Sequence, residues 1–235
     1  MKNSMANIVE IKNLSKNYGK KSVLKDISFT IAEGQIIGLF GPNGSGKTTL
    51  LKTMAGLLKE YSGDLKIDNE NIGIHTKSVI SYLPEKTYFD KNMTAKNAIS
   101  IFKDFYADFN EEKARNMLID LSLSETQKIG TMSKGMQEKL QLIMVMSRDA
   151  KLYMLDEPLG GVDPASRDYI LDTIIKNYNE KSSILLSTHL IHDVERIFDK
   201  ALFIKNGTIV LNEYVDIIRE DKGMSIDELF REVYR

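Results

Sequence analysis

The stretch Gln35-Ile36-Ile37-Gly38-Leu39-Phe40-Gly41-Pro42-Asn43-Gly44-Ser45-Gly46-Lys47-Thr48 decides the architecture of this chain. Its first six residues are short and apolar, the pattern of a buried strand. Thr49-Leu50-Leu51-Lys52-Thr53-Met54-Ala55 reads as helix, with Leu57 and Leu58 extending its apolar face. A strand, a glycine-rich turn ending in Lys-Thr and a helix are the context of a phosphate-binding loop. Glycines let consecutive backbone N–H groups converge on a phosphate with no Cβ in the way. The helix N-terminus adds its partial positive charge there. Residues Gly41 through Thr49 are therefore the expected nucleotide-binding set, with Lys47 reaching the β/γ oxygens and the Thr48 hydroxyl ligating Mg²⁺. A glycine turn that merely caps a helix is the competing reading; it does not account for the Lys-Thr pair or the preceding strand.

Composition sets wider bounds. A chain of 235 residues is long enough for one large α/β domain that buries its own core. A formal charge of −1 leaves no broad basic surface to argue for nucleic acid. With no cysteine, disulfides and thiol chemistry are excluded. The first residues lead directly into alternating Ile8-Val9-Glu10-Ile11, unlike a signal peptide, and no apolar run approaches the ~20 residues that span a bilayer.

Outward from the loop, Ile8 to Leu14 and Val23 to Ile31 alternate as half-buried strands. Asp64 to Asp68 and Val79 to Leu83 read as further strands, the second stopped by Pro84. From Thr94 the period changes from two to 3.6. Ala95, Ala98, Ile99, Phe102 and Phe105 form one helical stripe; Ala114, Met117, Leu118 and Leu121 form another, with Asn110 as its N-cap. A third helix follows Ser133 and is apolar on most sides from Leu140 to Met146, so its methionines read as core. Residues 86–149 are thus expected as a helical insertion. The α/β pattern resumes with a strand over Lys151 to Leu155, a helix striped by Ile170, Leu171, Ile174, Ile175 and Tyr178, and a strand over Ser183 to Ser187. Asn206-Gly207 between Ala201–Lys205 and Thr208–Leu211 signals a hairpin. Residues 212–235 form a helical tail whose Ser225-x-x-Glu228 has the form of a capping box.

Two carboxylates, Asp156 and Glu157, stand at the carboxyl end of an apolar strand, where ligand sites of α/β proteins lie. Asp156 suits a Mg²⁺ shell, and Glu157 suits polarisation of an attacking water. His189 follows the next strand and can reach a γ-phosphate. His75 and His192 lack such placement and read as surface residues.

The order of phosphate loop, helical insertion, Ser-x-Gly element, Leu155-Asp156-Glu157-Pro158, Gly161-Val162-Asp163-Pro164 and Thr188-His189 resembles the nucleotide-binding domain of ABC ATPases, over Ile8 to about Leu211. The resemblance implies one ABC ATPase domain over 1–235: a P-loop NTPase core of α/β class with a mixed sheet, an N-terminal antiparallel β subdomain and an inserted α-helical subdomain. It implies that Tyr18 stacks on adenine and that Met132-Ser133-Lys134-Gly135-Met136 occupies the family signature. Ser133 and Gly135 keep the usual residues there, whereas Lys134 and Met136 depart from them. Asp163 matches a loop that touches an opposite subunit. Glu85 stands where the family has a glutamine and would bind a metal-coordinated water. Tyr88, Phe89 and Met93 follow in the segment that faces a membrane partner. Because one domain's signature completes another's site, the resemblance implies a dimer, homomeric or with a paralogous ATPase subunit. It also implies a separately encoded integral membrane permease, a peripheral position on the cytoplasmic face of the membrane, ATP and Mg²⁺ as ligands, and a leaning to export. The alternatives are a soluble ABC-type ATPase serving a non-transport assembly and a nucleotide-gated regulatory subunit with little turnover.

Overall fold

The computed structural model describes residues 6–160, 164–179 and 181–235. β1 (Asn7–Tyr18) and β2 (Lys21–Ala32) form an antiparallel hairpin longer than the sequence alternation suggests. Register shifts along this ladder, with Asn13 and Asp26 in the left-handed region, bend the strands without ending them. β3 (Ile36–Phe40) leads into α1 (Lys47–Met54). That helix stops before Leu57 and Leu58, contrary to expectation. Gly56 turns the chain at φ 69°, and Leu57 is left 60% exposed. β4 (Ser62–Ile67) pairs with β1, and the short β5 (Glu70–Asn71) pairs with β4.

A short helix that the sequence pattern does not announce, α2 (Ile74–Val79), precedes β6 (Ile80–Leu83), so the strand starts one residue later than expected. α3 (Ala95–Phe105) is capped by Thr94 and buries Ala95, Ala98, Ile99 and Phe102. Phe105 departs from the expected stripe and is 79% exposed. Tyr106 and Phe109, with ring centroids 5.3 and 5.6 Å from that of Phe102, pack against Phe102 instead. α4 (Glu111–Asp120) starts at Asn110, whose side chain accepts the Lys113 N–H. α5 (Lys134–Met146) starts at Ser133 and is buried continuously from Leu140 to Met146. β7 (Leu152–Asp156), α6 (Pro164–Asn177), β8 (Ser183–Thr188) and α7 (Ile191–Val194) follow. β9 (Lys200–Lys205) and β10 (Thr208–Tyr214) form the expected hairpin, with Asn206 and Gly207 both at positive φ. β10 runs on through the first three residues of the tail, and the rest of the tail forms two helices, α8 (Val215–Lys222) and α9 (Ile226–Val233), the second with its Ser225/Glu228 capping box formed.

Two sheets result. One is antiparallel with order β2-β1-β4-β5; the other has order β10-β9-β3-β8-β7-β6 and is parallel except for β10. The larger sheet is buried on both faces, and alternate residues of each strand choose a side. Ile37, Leu39, Leu152, Met154, Leu185, Leu202 and Ile204 pack toward α1 and the antiparallel sheet. Phe40, Tyr153, Leu155, Ile184, Leu186 and Phe203 pack toward the helices on the other face. Gly38 is required there, because a Cβ would lie 2.1 Å from the Phe40 ring. This is an α/β fold of three layers.

Buried Arg148, just beyond α5, ties the helical segment to β6: it donates to Ser78 O and Ile80 O and pairs with Asp108. Immediately before β7, Lys151 Nζ lies 2.9 Å from Asp68, and His75 Nε2 lies 2.8 Å from the same carboxylate. Burial raises the Asp68 pKa, but the hydrogen bonds from Lys151 and His75 outweigh it, so the group sits below its ordinary value. A depressed carboxylate contributes stability above its unfolded pKa and loses it as pH falls through the folded one. Asp68→Asn should therefore destabilise by about 0.5–1 kcal/mol in urea denaturation at pH 7, since both partners are half exposed. The difference from wild type should disappear below about pH 3, past the ordinary Asp value of ~4. A pH-independent difference would show that the ion pairs are not its origin.

Candidate active site

The phosphate loop leaves β3 at its carboxyl end and enters α1 through Gly46, at φ 116°, where a Cβ would meet Leu24 Cδ2 at 2.9 Å. No side chain caps α1, so its first-turn N–H groups are oriented for an outside acceptor. The loop is braced from behind by the Asn206-Gly207 turn. Gly207 N–H donates to Ser45 O at 3.0 Å, and Lys25 N–H donates to Gly207 O at 2.8 Å, which links loop, hairpin and β2. Lys47 is 6% exposed and folds back over the loop, donating to Gly41 O at 2.7 Å and Pro42 O at 3.4 Å. Burial lowers its pKa, opposed by the charges of Glu157, Asp156 and Glu85. A cation so desolvated is poised for an anion.

The neighbouring parallel strands deliver the carboxylates. β7 ends in Asp156, 1% exposed, opposite Ser187 of β8. Burial raises the Asp156 pKa, against hydrogen bonds from Ser187 and Thr48. Glu157 follows at φ 52°, a left-handed backbone that costs a non-glycine residue about 1–2 kcal/mol. That turn points its carboxylate at the loop: Oε1 is 3.8 Å from Lys47 Nζ, and Oε2 is 2.8 Å from His189 Nδ1. His189 N–H also donates to Oε2, at 3.3 Å. A carboxylate only accepts, so Nδ1 carries the proton and Nε2 is left for the cleft.

These groups open on a cleft of about 1300 Å³. It brings together Tyr18, Asn43, Gly44, Gly46, Lys47, Thr48, Thr49, Glu85, Glu157 and His189 of the expected set. Gly41 and Ser45 are buried behind it, Pro42 is exposed on the loop, and Asp156 lies beneath. Ser133 and Gly135 are not among its walls. Ser133 is exposed and caps α5, accepting the Met136 N–H at 3.3 Å. Lys134, Gln137 and Glu138 of the first turns of α5 line the cleft instead. Asp163 lies outside the described residues. His75 and His192 stay away from the cleft, as expected. In the segment after Glu85, Phe89 and Met93 are partly buried, while Tyr88 stays 50% exposed beside Phe89.

Three residues of the site escaped sequence reading. Ser187 bridges Asp156 and Glu157. The Tyr82 hydroxyl stands 3.5 Å from Asp156 Oδ2. Buried Gln141 of α5 donates to Pro84 O at 2.8 Å, beside Glu85. Their common signal is a polar residue inside an apolar run. The oxygen donors Thr48, Asp156 and Glu85 suit a hard divalent cation such as Mg²⁺. No cluster of three His, Cys, Asp or Glu occurs among the described residues, so such an ion would take further ligands from phosphate.

Comparison with known proteins agrees with this geometry. Residues 24–160 match the family model described as ABC transporter. An uncharacterised ABC transporter ATP-binding protein of Methanocaldococcus jannaschii is 33% identical over 207 residues, 86% of this chain and 76% of that protein. The Nod factor export ATP-binding protein I of Sinorhizobium fredii is 30% identical over 231 residues, 94% of this chain and 67% of that protein. A solved structure described as the ATP-binding subunit of an ABC transporter superposes with a TM-score of 0.88 at 27% identity, covering 97% of this chain and all of that one. Phosphate loop, Glu157 and strand-end histidine thus share one cleft, with Asp156 beneath it, in an ABC ATPase fold, and the chain belongs to the ABC transporter family as an ATP-binding, ATP-hydrolysing subunit.

Proposed function

We propose that this subunit powers a separately encoded membrane permease, in the direction of export. The observation that carries the chemistry is Glu157, set 3.8 Å from Lys47 Nζ and 2.8 Å from His189 Nδ1 at the mouth of the phosphate loop. ATP would lie with its phosphates on the first turn of α1 and its base against Tyr18, at the cleft rim. Lys47 would exchange its carbonyl partners for β/γ oxygens, which strengthens a buried cation's interactions. Thr48 and Asp156 would hold Mg²⁺, with Glu85 ordering water beside it; the ion neutralises charge on the transferred phosphoryl group. Glu157 would accept the proton of the attacking water, and His189 Nε2, left as an acceptor while Nδ1–H faces Glu157, would help hold that water near the γ-phosphate.

Ser133 is exposed and, unlike its neighbour Lys134, is not among the walls of the chain's own cleft. This supports a dimer in which Ser133, Gly135 and Asp163 reach the site of a second subunit, either a copy or a paralogue. The export direction rests on the likeness to the Nod factor export protein. Half-exposed Tyr88 offers a surface for the permease, which would hold the subunit at the cytoplasmic face of the membrane. Among the described residues no helix is long and apolar enough to cross a membrane.

The test is affinity co-purification from detergent-solubilised native membranes with mass spectrometry of the stoichiometric partner. A multi-span membrane protein is expected. A ribosomal, DNA-bound or wholly soluble partner would overturn the transport reading.

A further inference from the structure

Ser187 lies in the middle of the site, yet no motif of the chain points to it. It is fully buried near the carboxyl end of β8, in register with Asp156. Its hydroxyl donates to Asp156 Oδ1 at 2.6 Å and accepts from the Glu157 N–H at 3.2 Å. The same N–H also donates to the Ser187 carbonyl, at 3.0 Å. One residue therefore holds both carboxylate-bearing positions, and each hold answers a separate need. Asp156 is a buried charge, which must be hydrogen-bonded to persist. Glu157 has a left-handed backbone that must be restrained from outside. A short O–H···O⁻ bond occupies Oδ1, while the Tyr82 hydroxyl stands 3.5 Å from Oδ2 and Thr48 bonds the same carboxylate.

We propose that Ser187 is a positioning residue for the hydrolysis: its hydroxyl orients the Asp156 carboxylate toward Thr48 and a divalent ion, and the same hydroxyl with the Ser187 carbonyl pins the turn that carries Glu157. The chain Glu157 N–H to Ser187 Oγ–H to Asp156 couples the metal-holding and water-activating positions through a single rotatable group. An alanine at this place would remove the donor that Ser187 gives Asp156 Oδ1 and one of the two acceptors of the Glu157 N–H.

This inference rests on the assignment of Asp156 to the metal, and the experiment separates the two. Binding of a fluorescent ATP analogue to the full chain is measured in EDTA and across a MgCl₂ titration, for wild type, Ser187→Ala and Ser187→Thr. Wild type should bind more tightly as Mg²⁺ is added. Ser187→Ala should keep its EDTA affinity within about twofold but need at least about tenfold more Mg²⁺, the scale of one hydrogen bond to a charged group. Ser187→Thr, which keeps the hydroxyl, should return toward wild type. Unchanged Mg²⁺ dependence in Ser187→Ala would overturn the proposal. So would a parallel loss of EDTA affinity, the mark of a merely packing role, or a threonine variant as impaired as the alanine one. If Mg²⁺ fails to tighten binding in the wild type itself, the metal assignment of Asp156 falls and this proposal falls with it.

Discussion

Glu157→Gln should bind ATP as wild type does and turn it over about two to four orders of magnitude more slowly, the usual worth of a positioned general base. The substitution keeps size and hydrogen-bonding capacity but removes the basic oxygen. Binding should survive because the phosphate loop, Lys47 and the first turn of α1 are untouched; Glu157 makes only a 3.8 Å approach to Lys47. The backbone should survive as well, since the φ of 52° at this position is held by the Glu157 N–H on Ser187 rather than by the side chain. A glutamine can still meet His189 through its amide oxygen, so the histidine need not move. The measurement is single-turnover phosphate release beside equilibrium nucleotide binding. A variant that hydrolyses at the wild-type rate would remove Glu157 from the role of base. One that loses binding would show that its carboxylate serves the loop rather than the water.

Lys47→Ala should lose nucleotide affinity by about two orders of magnitude or more. The side chain makes the only buried cation of the phosphate loop, and hydrogen bonds to charged groups contribute about 1.5–3 kcal/mol each. Two of them to β/γ oxygens account for the expected loss. The free protein should fold, because the Lys47 side chain hydrogen-bonds only to carbonyls of its own loop, Gly41 O and Pro42 O, and ties no two elements of the core together. Thermal melting without nucleotide controls for this, and ATP should then raise the melting temperature of wild type but not of the variant. Unchanged affinity would contradict the phosphate-loop assignment.

How far each part was legible depended on the range of the interactions that form it. The capping residues Asn110, Ser133 and Ser225 act within one turn of chain, and each was found where its side chain and spacing placed it. The Asn206-Gly207 hairpin is equally local. Phe105 and Leu57 show the limit: periodicity put both on apolar faces, but one helix ends at Met54 and the other at Phe105 itself, and both side chains are left in solvent while Tyr106 and Phe109 pack on Phe102. α2 carries too short an apolar pattern to be recognised, and packing against the strands beside it decides its state.

In the site, Lys47, Thr48, Asp156, Glu157 and His189 could be named from the chain, because phosphate chemistry demands those residue types immediately after strands. What no linear reading could supply was their wiring. β7 and β8 are joined by a helix and lie 31 residues apart at Asp156 and Ser187, and only their parallel register sets that hydroxyl on that carboxylate. Gln141 meets Pro84 across 57 residues by the same kind of tertiary placement. The sequence by itself determined the family, the ligand class and the candidate reactive groups, since these follow from local chemistry and spacing. The tertiary structure alone decided which polar side chains inside apolar elements hold those groups in place. A buried hydroxyl or amide finds its partner through sheet register and helix packing, and neither is written in the residues on either side of it.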